Sequence, residues 1–169
     1  MELNRRNILK NVMYVSGIGG LSGMTAKDTA ETHQLTDELE KAINGAQQAS
    51  RNLMLGDAAP MKKVFSHAGD VMLFGGWGGY ERGWDQVGPR LEWAASRFAG
   101  LRNYSCERLT AGESGEIGYE CFVERMDARI AGTDGFHEMA LRVTHIYRRE
   151  QGGWSIVLRH ADFLTPRVG

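Results

Sequence analysis

The chain changes period partway along, and that change limits the folds open to it. Leu35, Leu39, Ala42, Ala46, Ala49 and Leu53 recur at intervals of four and three residues. That is the spacing of one face of a helix, and the pattern stops at Gly56. A short second helix through Met61, Val64 and Phe65 follows the loop Asp57 to Pro60, and Val71 to Phe74 reads as a strand. Trp84, Val87, Leu91, Ala95 and Phe98 give another helical stripe, with Pro89 predicting that the regular helix begins close to it. From Leu101 onward the alternation is that of strands. Leu101–Leu109 and Ile117–Ile130 are joined through Gly112-Glu113-Ser114-Gly115, and Phe136–Arg149 and Trp154–Phe163 around Gln151-Gly152-Gly153. Helices first and a mostly antiparallel sheet last define an α+β arrangement in which the helices cover one face of the sheet.

Ahead of this domain, Asn4-Arg5-Arg6-Asn7-Ile8-Leu9-Lys10 precedes a weakly apolar run from Val12 to Met24. Two adjacent arginines before such a run match a twin-arginine export address; the alternative is a basic tail before a helix. Residues 1–26 are read as the signal and 27–169 as one domain, working in the periplasm or secreted, with cleavage near Ala26. Gly17, Gly19, Gly20 and Gly23 interrupt the run, which argues against a stable membrane span. The formal net charge of -1 gives no basic footprint for nucleic acid.

Alternation on the final hairpin sorts its side chains. Leu141, Val143, His145 and Tyr147 share one face. Regular pairing through a turn at Gln151-Gly152 or Gly152-Gly153 adds Ile156, Leu158, His160 and Asp162 to that face. Arg142, Thr144, Ile146, Arg148, Ser155, Val157, Arg159 and Ala161 take the other, where the arginines are solvated or interfacial. Imidazole and carboxylate among apolar side chains suit proton exchange near neutral pH. His160, Asp162 and His145 are therefore the candidate catalytic groups, with Tyr147 and Glu120 as substrate-binding candidates and Glu120 and Glu124, on the preceding strand, as alternative acids. The loop Gly75-Gly76-Trp77-Gly78-Gly79-Tyr80 lacks the lysine and hydroxyl of a phosphate loop. It offers Trp77 and Tyr80 as stacking groups for a ring. Tyr80 or Arg142 would steady a negative oxygen, Arg142 only if the face assignment is inverted.

Cys106 and Cys121 are equidistant from the centre of the Gly112–Gly115 turn, which would set them opposite each other, and Glu107 opposite Glu120. No histidine pair has HExxH spacing, no thiolate cluster occurs, and no cofactor fingerprint is present, so neither a metal nor a cofactor is expected.

Several strings carry a resemblance: Asp70-Val71-Met72-Leu73-Phe74 after a helical hairpin, Tyr80-Glu81-Arg82-Gly83-Trp84 leading into a helix, and Leu141 to Arg149 joined to Gly152 to Asp162. Together they resemble the SnoaL-like branch of the nuclear transport factor 2-like and ketosteroid isomerase-like superfamily, over about Glu31 to Phe163. The resemblance implies a cone, with a curved sheet wrapping helices around a pocket, and a homodimer formed through sheet faces. It also implies either a cofactor-independent isomerase, cyclase or dehydratase working by acid-base chemistry on a small apolar or aromatic, oxygenated molecule, or a non-catalytic exported ligand-binding or assembly domain. Polyketide cyclases of the family use a pocket histidine and aspartate, for which His160 and Asp162 are the match. The aspartate that ketosteroid isomerases place just after the first strand is absent, Gly75 and Gly76 standing there instead.

Overall fold

The computed structural model describes residues 35–166. The Arg5-Arg6 address and the Ala26 cleavage position lie outside the described residues. Thr36 starts the first helix, α1 (Asp37–Met54), by accepting the Leu39 N–H on Oγ1 at 3.3 Å. Asp37, Glu38 and Glu40 complement the positive end of that helix. Of its predicted stripe, Leu39, Ala46, Ala49 and Leu53 lie in the core and Leu35 and Ala42 are half-buried beside it, while Ile43, which the stripe did not include, is fully buried. A second, short helix α2 (Ala59–Val64) and the strands β1 (Met72–Phe74) and β2 (Tyr80–Arg82) precede α3 (Trp84–Ser96). Four long strands follow, β3 (Phe98–Ser114), β4 (Ile117–Ile130), β5 (His137–Glu150) and β6 (Gly153–Phe163).

Two elements start earlier than the sequence predicts. α3 begins five residues before Pro89, on a Gly83 whose φ of 78° no side-chain-bearing residue adopts easily. The proline removes the bond to the Asp85 carbonyl, which lies in the exposed first turn of the helix. Phe98, placed by spacing on the α3 stripe, opens β3 instead. Ala99, Arg102 and Leu109 are extra residues in β3 at its three register shifts against β4. Such bulges bend and twist a long strand, which curves this side of the sheet.

The six strands run in the order β2-β1-β6-β5-β4-β3, antiparallel throughout except that β1 lies parallel to β6. The helices pack on the inner face, where Leu39, Ile43, Met61, Val87 and Leu91 meet Tyr147, Trp154 and Ile156. Close approach matters at one point. A Cβ on Gly118 would stand 2.6 Å from Leu39 Cδ2, so α1 seats against β4 only where the strand has no side chain.

Register corrects two further expectations. The β3–β4 turn is centred on Gly115-Glu116, and with the Leu109 bulge this sets Cys106 opposite Glu124 and Cys121 opposite Thr110. The thiols are free, Cys106 turned inward to the Tyr104 hydroxyl and Cys121 outward to Thr144. Glu107 faces Val123 while Glu120 faces Ala111, so the expected carboxylate pair does not form.

The second correction decides the site. The β5–β6 turn falls at Gln151-Gly152, and pairing is regular as far as Tyr147 opposite Ile156. Val157 is then an extra residue, and Ile146 pairs with Leu158, His145 with Arg159 and Thr144 with His160. One inserted residue reverses which side chains of β6 face inward. Arg159 and Ala161 turn into the core, while His160 and Asp162 turn out, against the faces that regular alternation predicts.

Candidate functional site

The inner faces of β3 to β6 bring six polar side chains into an apolar interior. His145, Glu120 and Glu124 are fully buried, Arg159 is 6% exposed, and Tyr104 and Tyr147 complete the group. Arg159 Nη1–H donates to His145 Nε2 at 2.8 Å. A guanidinium has no acceptor, so Nε2 offers its lone pair and the imidazole proton sits on Nδ1. From there the direction of each bond is fixed: Nδ1–H donates to the Tyr147 hydroxyl at 3.0 Å, which donates to Glu120 Oε1 at 3.2 Å. Gln47 of α1 donates to Glu120 Oε2 at 3.1 Å. Glu124 accepts from Arg159 Nη2 at 2.8 Å and from the Tyr104 hydroxyl at 2.6 Å.

Burial dominates the titration of this group. It holds the His145 pKa below the ordinary imidazole value; the bond toward Glu120 opposes the shift and the Arg159 charge adds to it. Burial and then the Glu120 charge push the Tyr147 hydroxyl far up. The Cys106 thiol is raised to about 11, chiefly by burial, so it is not an activated nucleophile at neutral pH.

Arg159 also faces an apolar pocket of about 60 Å³ between the helices and the sheet. Met54 of α1, Leu91 of α3, Phe98 of β3, Met126 of β4, Leu141 of β5 and Ala161 of β6 contribute to its walls. Trp77 and Phe163, each about 40% exposed, mark the rim, and the buried Arg159 marks the deep end. The rim loop is anchored by Arg90, which donates to the Gly78 carbonyl at 2.9 Å, lies 3.4 Å from Glu81 and stacks 4.0 Å over the Trp93 ring. Trp77 packs edge-on against Trp93 and tilted against Phe98. Gly75 and Gly76 line the pocket, and the lining contains no carboxylate and no imidazole.

The residues predicted from sequence divide into three groups. His145, Tyr147 and Glu120 come together in the buried network, and Trp77 lines the pocket. His160, Asp162 and Arg142 lie on the outer sheet face, where Arg142 Nε binds Asp162 Oδ1 at 3.1 Å and the His160 ring sits 5.2 Å from that of Phe74. Tyr80 is 68% exposed on the edge strand β2 and does not line the pocket. His145 and His160 thus stand on opposite faces, so they cannot share a metal ion, and the described residues contain no metal-binding cluster. Arg159 is the group that regular alternation misplaced. Its signal was Ile156-Val157-Leu158, three apolar residues in succession inside an alternating strand, as a bulge produces.

No family model and no curated protein matches this chain in sequence. Its fold, however, is shared with solved structures. A ketosteroid isomerase-like protein from Erwinia carotovora atroseptica is similar with a TM-score of 0.65 and 14% identity, over 78% of this chain and 100% of that one. A nuclear transport factor 2-like superfamily protein from Salmonella enterica serovar Typhimurium gives 0.62 and 16%, over 78% and 92%. An NTF2-like protein from Rhodospirillum rubrum, of unknown function in nutrient uptake, gives 0.60 and 17%, over 76% and 100%. The chain has the NTF2-like, ketosteroid isomerase-like α+β fold, its N-terminal helices packed in a curved, mostly antiparallel sheet. At these identities the likeness defines the fold, while the chemistry has to be argued from the site.

Proposed function

We propose that this domain binds a small apolar or aromatic molecule bearing a neutral or anionic oxygen acceptor. The oxygen takes an N–H of Arg159, and the apolar body lies toward Trp77 and Phe163. One observation carries the reading: a buried guanidinium faces a largely apolar pocket with, among the described residues, two of its five N–H groups committed, to His145 and Glu124. Few polar groups placed precisely in an apolar pocket is the usual composition of a small-molecule site. The test is calorimetric titration with benzylacetone, a one-ring ketone. Binding to the wild type that is lost in Arg159→Met supports the reading, and equal binding by the two proteins overturns it.

A cofactor-independent isomerase, cyclase or dehydratase of SnoaL-like type is the second reading, favoured by the directed chain from Arg159 through His145 and Tyr147 to Glu120. In it Arg159 stabilises a developing enolate oxygen, and His145 Nε2, which lies behind Arg159 and meets the pocket only when that side chain turns aside, takes the proton. Deuterium uptake from heavy water into the α-positions of benzylacetone, abolished in His145→Gln, is the expected sign. No uptake above the buffer rate assigns the domain to binding alone. Export through the Arg5-Arg6 address and a homodimer through the outer sheet face complete the proposal. Export is checked by fractionating cells that carry Arg5→Lys/Arg6→Lys, and the dimer by sedimentation velocity.

A further inference from the structure

The pocket offers two cations, and each already has its own carboxylate. Arg90 at the rim lies 3.4 Å from Glu81, and Arg159 at the deep end is bound by Glu124 at 2.8 Å. Resting on the binding reading above, we propose that Glu124 is a positioning residue that sets ligand charge. By neutralising Arg159 it makes the pocket select a neutral carbonyl compound and reject the matching carboxylate.

The charge count behind the pocket supports this. Among the described residues Glu120 and Glu124 are both fully buried, against the single buried cation Arg159. Arg108 approaches Glu120 only to 3.8 Å, is one-third exposed, and spends its closer contact, 2.8 Å, on Glu40. His145 adds no positive charge, because its Nε2 already accepts from Arg159. An incoming carboxylate would be a third anion beside that cation, stripped of water among Met126, Leu141 and Ala161. A ketone or amide oxygen brings no charge and needs one N–H, and Arg159 has N–H groups left to give.

Size narrows the class further. A cavity of about 60 Å³ is smaller than the roughly 150 Å³ cavity known to admit benzene. A short chain ending in the carbonyl therefore fits inside, with a ring left at the rim against Trp77. The ligand class is an aryl-alkyl ketone, aldehyde or amide.

Benzylacetone and hydrocinnamate test the charge rule, since they share ring and tether and differ in a neutral against an anionic oxygen group. At about pH 7.5 the wild type is expected to bind benzylacetone at least about tenfold tighter, a difference near 1.4 kcal/mol. Glu124→Gln frees the charge of Arg159 and is expected to erase or invert that ratio. A general loss of packing would weaken both ligands together and leave the ratio unmoved. If Glu124→Gln does not fold, Glu124→Asp, which draws the carboxylate back by one methylene, is expected to shrink the ratio. Hydrocinnamate binding the wild type as well as benzylacetone, or an unchanged ratio in the folded variant, overturns the inference and leaves the pocket reading standing. Neither probe binding, or Arg159→Met binding both like the wild type, overturns the pocket reading and the inference with it.

Discussion

Tyr147→Phe isolates the middle bond of the buried chain, because the ring and its packing stay while one hydroxyl leaves. That hydroxyl accepts from His145 Nδ1–H at 3.0 Å and donates to Glu120 Oε1 at 3.2 Å, among side chains closed to water. Its loss strands a buried donor and removes one donor from a buried carboxylate, each defect costing about 1–3 kcal/mol when nothing replaces it. Replacement is partly available: His145 Nδ1 lies 3.4 Å from Glu120 Oε1, so a small ring movement closes a direct bond. The expected net destabilisation is about 2 kcal/mol, or roughly 6–10 °C in Tm for a domain of this size. Urea unfolding followed by tryptophan fluorescence measures it, with the midpoint falling and the m-value unchanged. A second arm adds Glu120→Gln, and a double-mutant cycle should return a coupling of about 1 kcal/mol or more. A Tyr147→Phe protein within about 0.5 kcal/mol of the wild type would show that the chain of bonds does not hold the site together.

Three further outcomes follow from the same geometry. His145 has its pKa lowered in the fold, so below the ordinary value of about 6.5 the unfolded chain binds a proton that the native one refuses. Its contribution to stability is full above that value and falls as pH drops toward the lowered one. The wild type should lose about 1 kcal/mol more than His145→Gln between pH 7.5 and 5.5, and equal losses would refute the neutral assignment. Deleting Val157 removes the bulge residue while leaving Arg159 opposite His145, so that variant should stay folded at a cost of about 1–3 kcal/mol. Deleting Thr144, which has no spare residue in β5, should unfold the domain; circular-dichroism melts of the two deletions compare them, and matching behaviour would contradict the register. Gly118→Ala forces a methyl to 2.6 Å from the buried Leu39 and should destabilise by about 1–3 kcal/mol in urea, where a neutral result would place α1 elsewhere.

The helices and the hairpins were legible because their signals are local. The α1 stripe from Leu39 to Leu53 and the span Ile117–Ile130 need only periodicity and turn residues to be found. The three-residue strand β2 was not legible, since it exists only through its pairing with β1. The site was half legible for one reason. Alternation is a parity rule, and a single extra residue such as Val157 leaves every assignment before it correct and reverses every one after it. Thus alternation places His145 and Tyr147 correctly on the inner face, whereas His160 and Asp162 are exchanged for Arg159 and Ala161. The Cys106 and Cys121 pairing failed the same way, through the Leu109 bulge and a turn centred two residues later than Gly112–Gly115 suggests. The pocket itself depends on long-range contact: Met54, Leu91, Met126 and Leu141 come from four elements, and no spacing in the sequence relates them.

The central claim is that a ligand oxygen meets Arg159 at the deep end of the apolar pocket. A crystal structure of the protein with benzylacetone bound tests it most directly. The account predicts the carbonyl oxygen within hydrogen-bonding distance, about 3 Å, of an Arg159 nitrogen, with the ring at the Trp77 and Phe163 rim and the bond from Arg159 to Glu124 intact. Benzylacetone seated in the separate cleft between Arg149 and Trp154, or in the pocket with its oxygen turned away from Arg159, would contradict it.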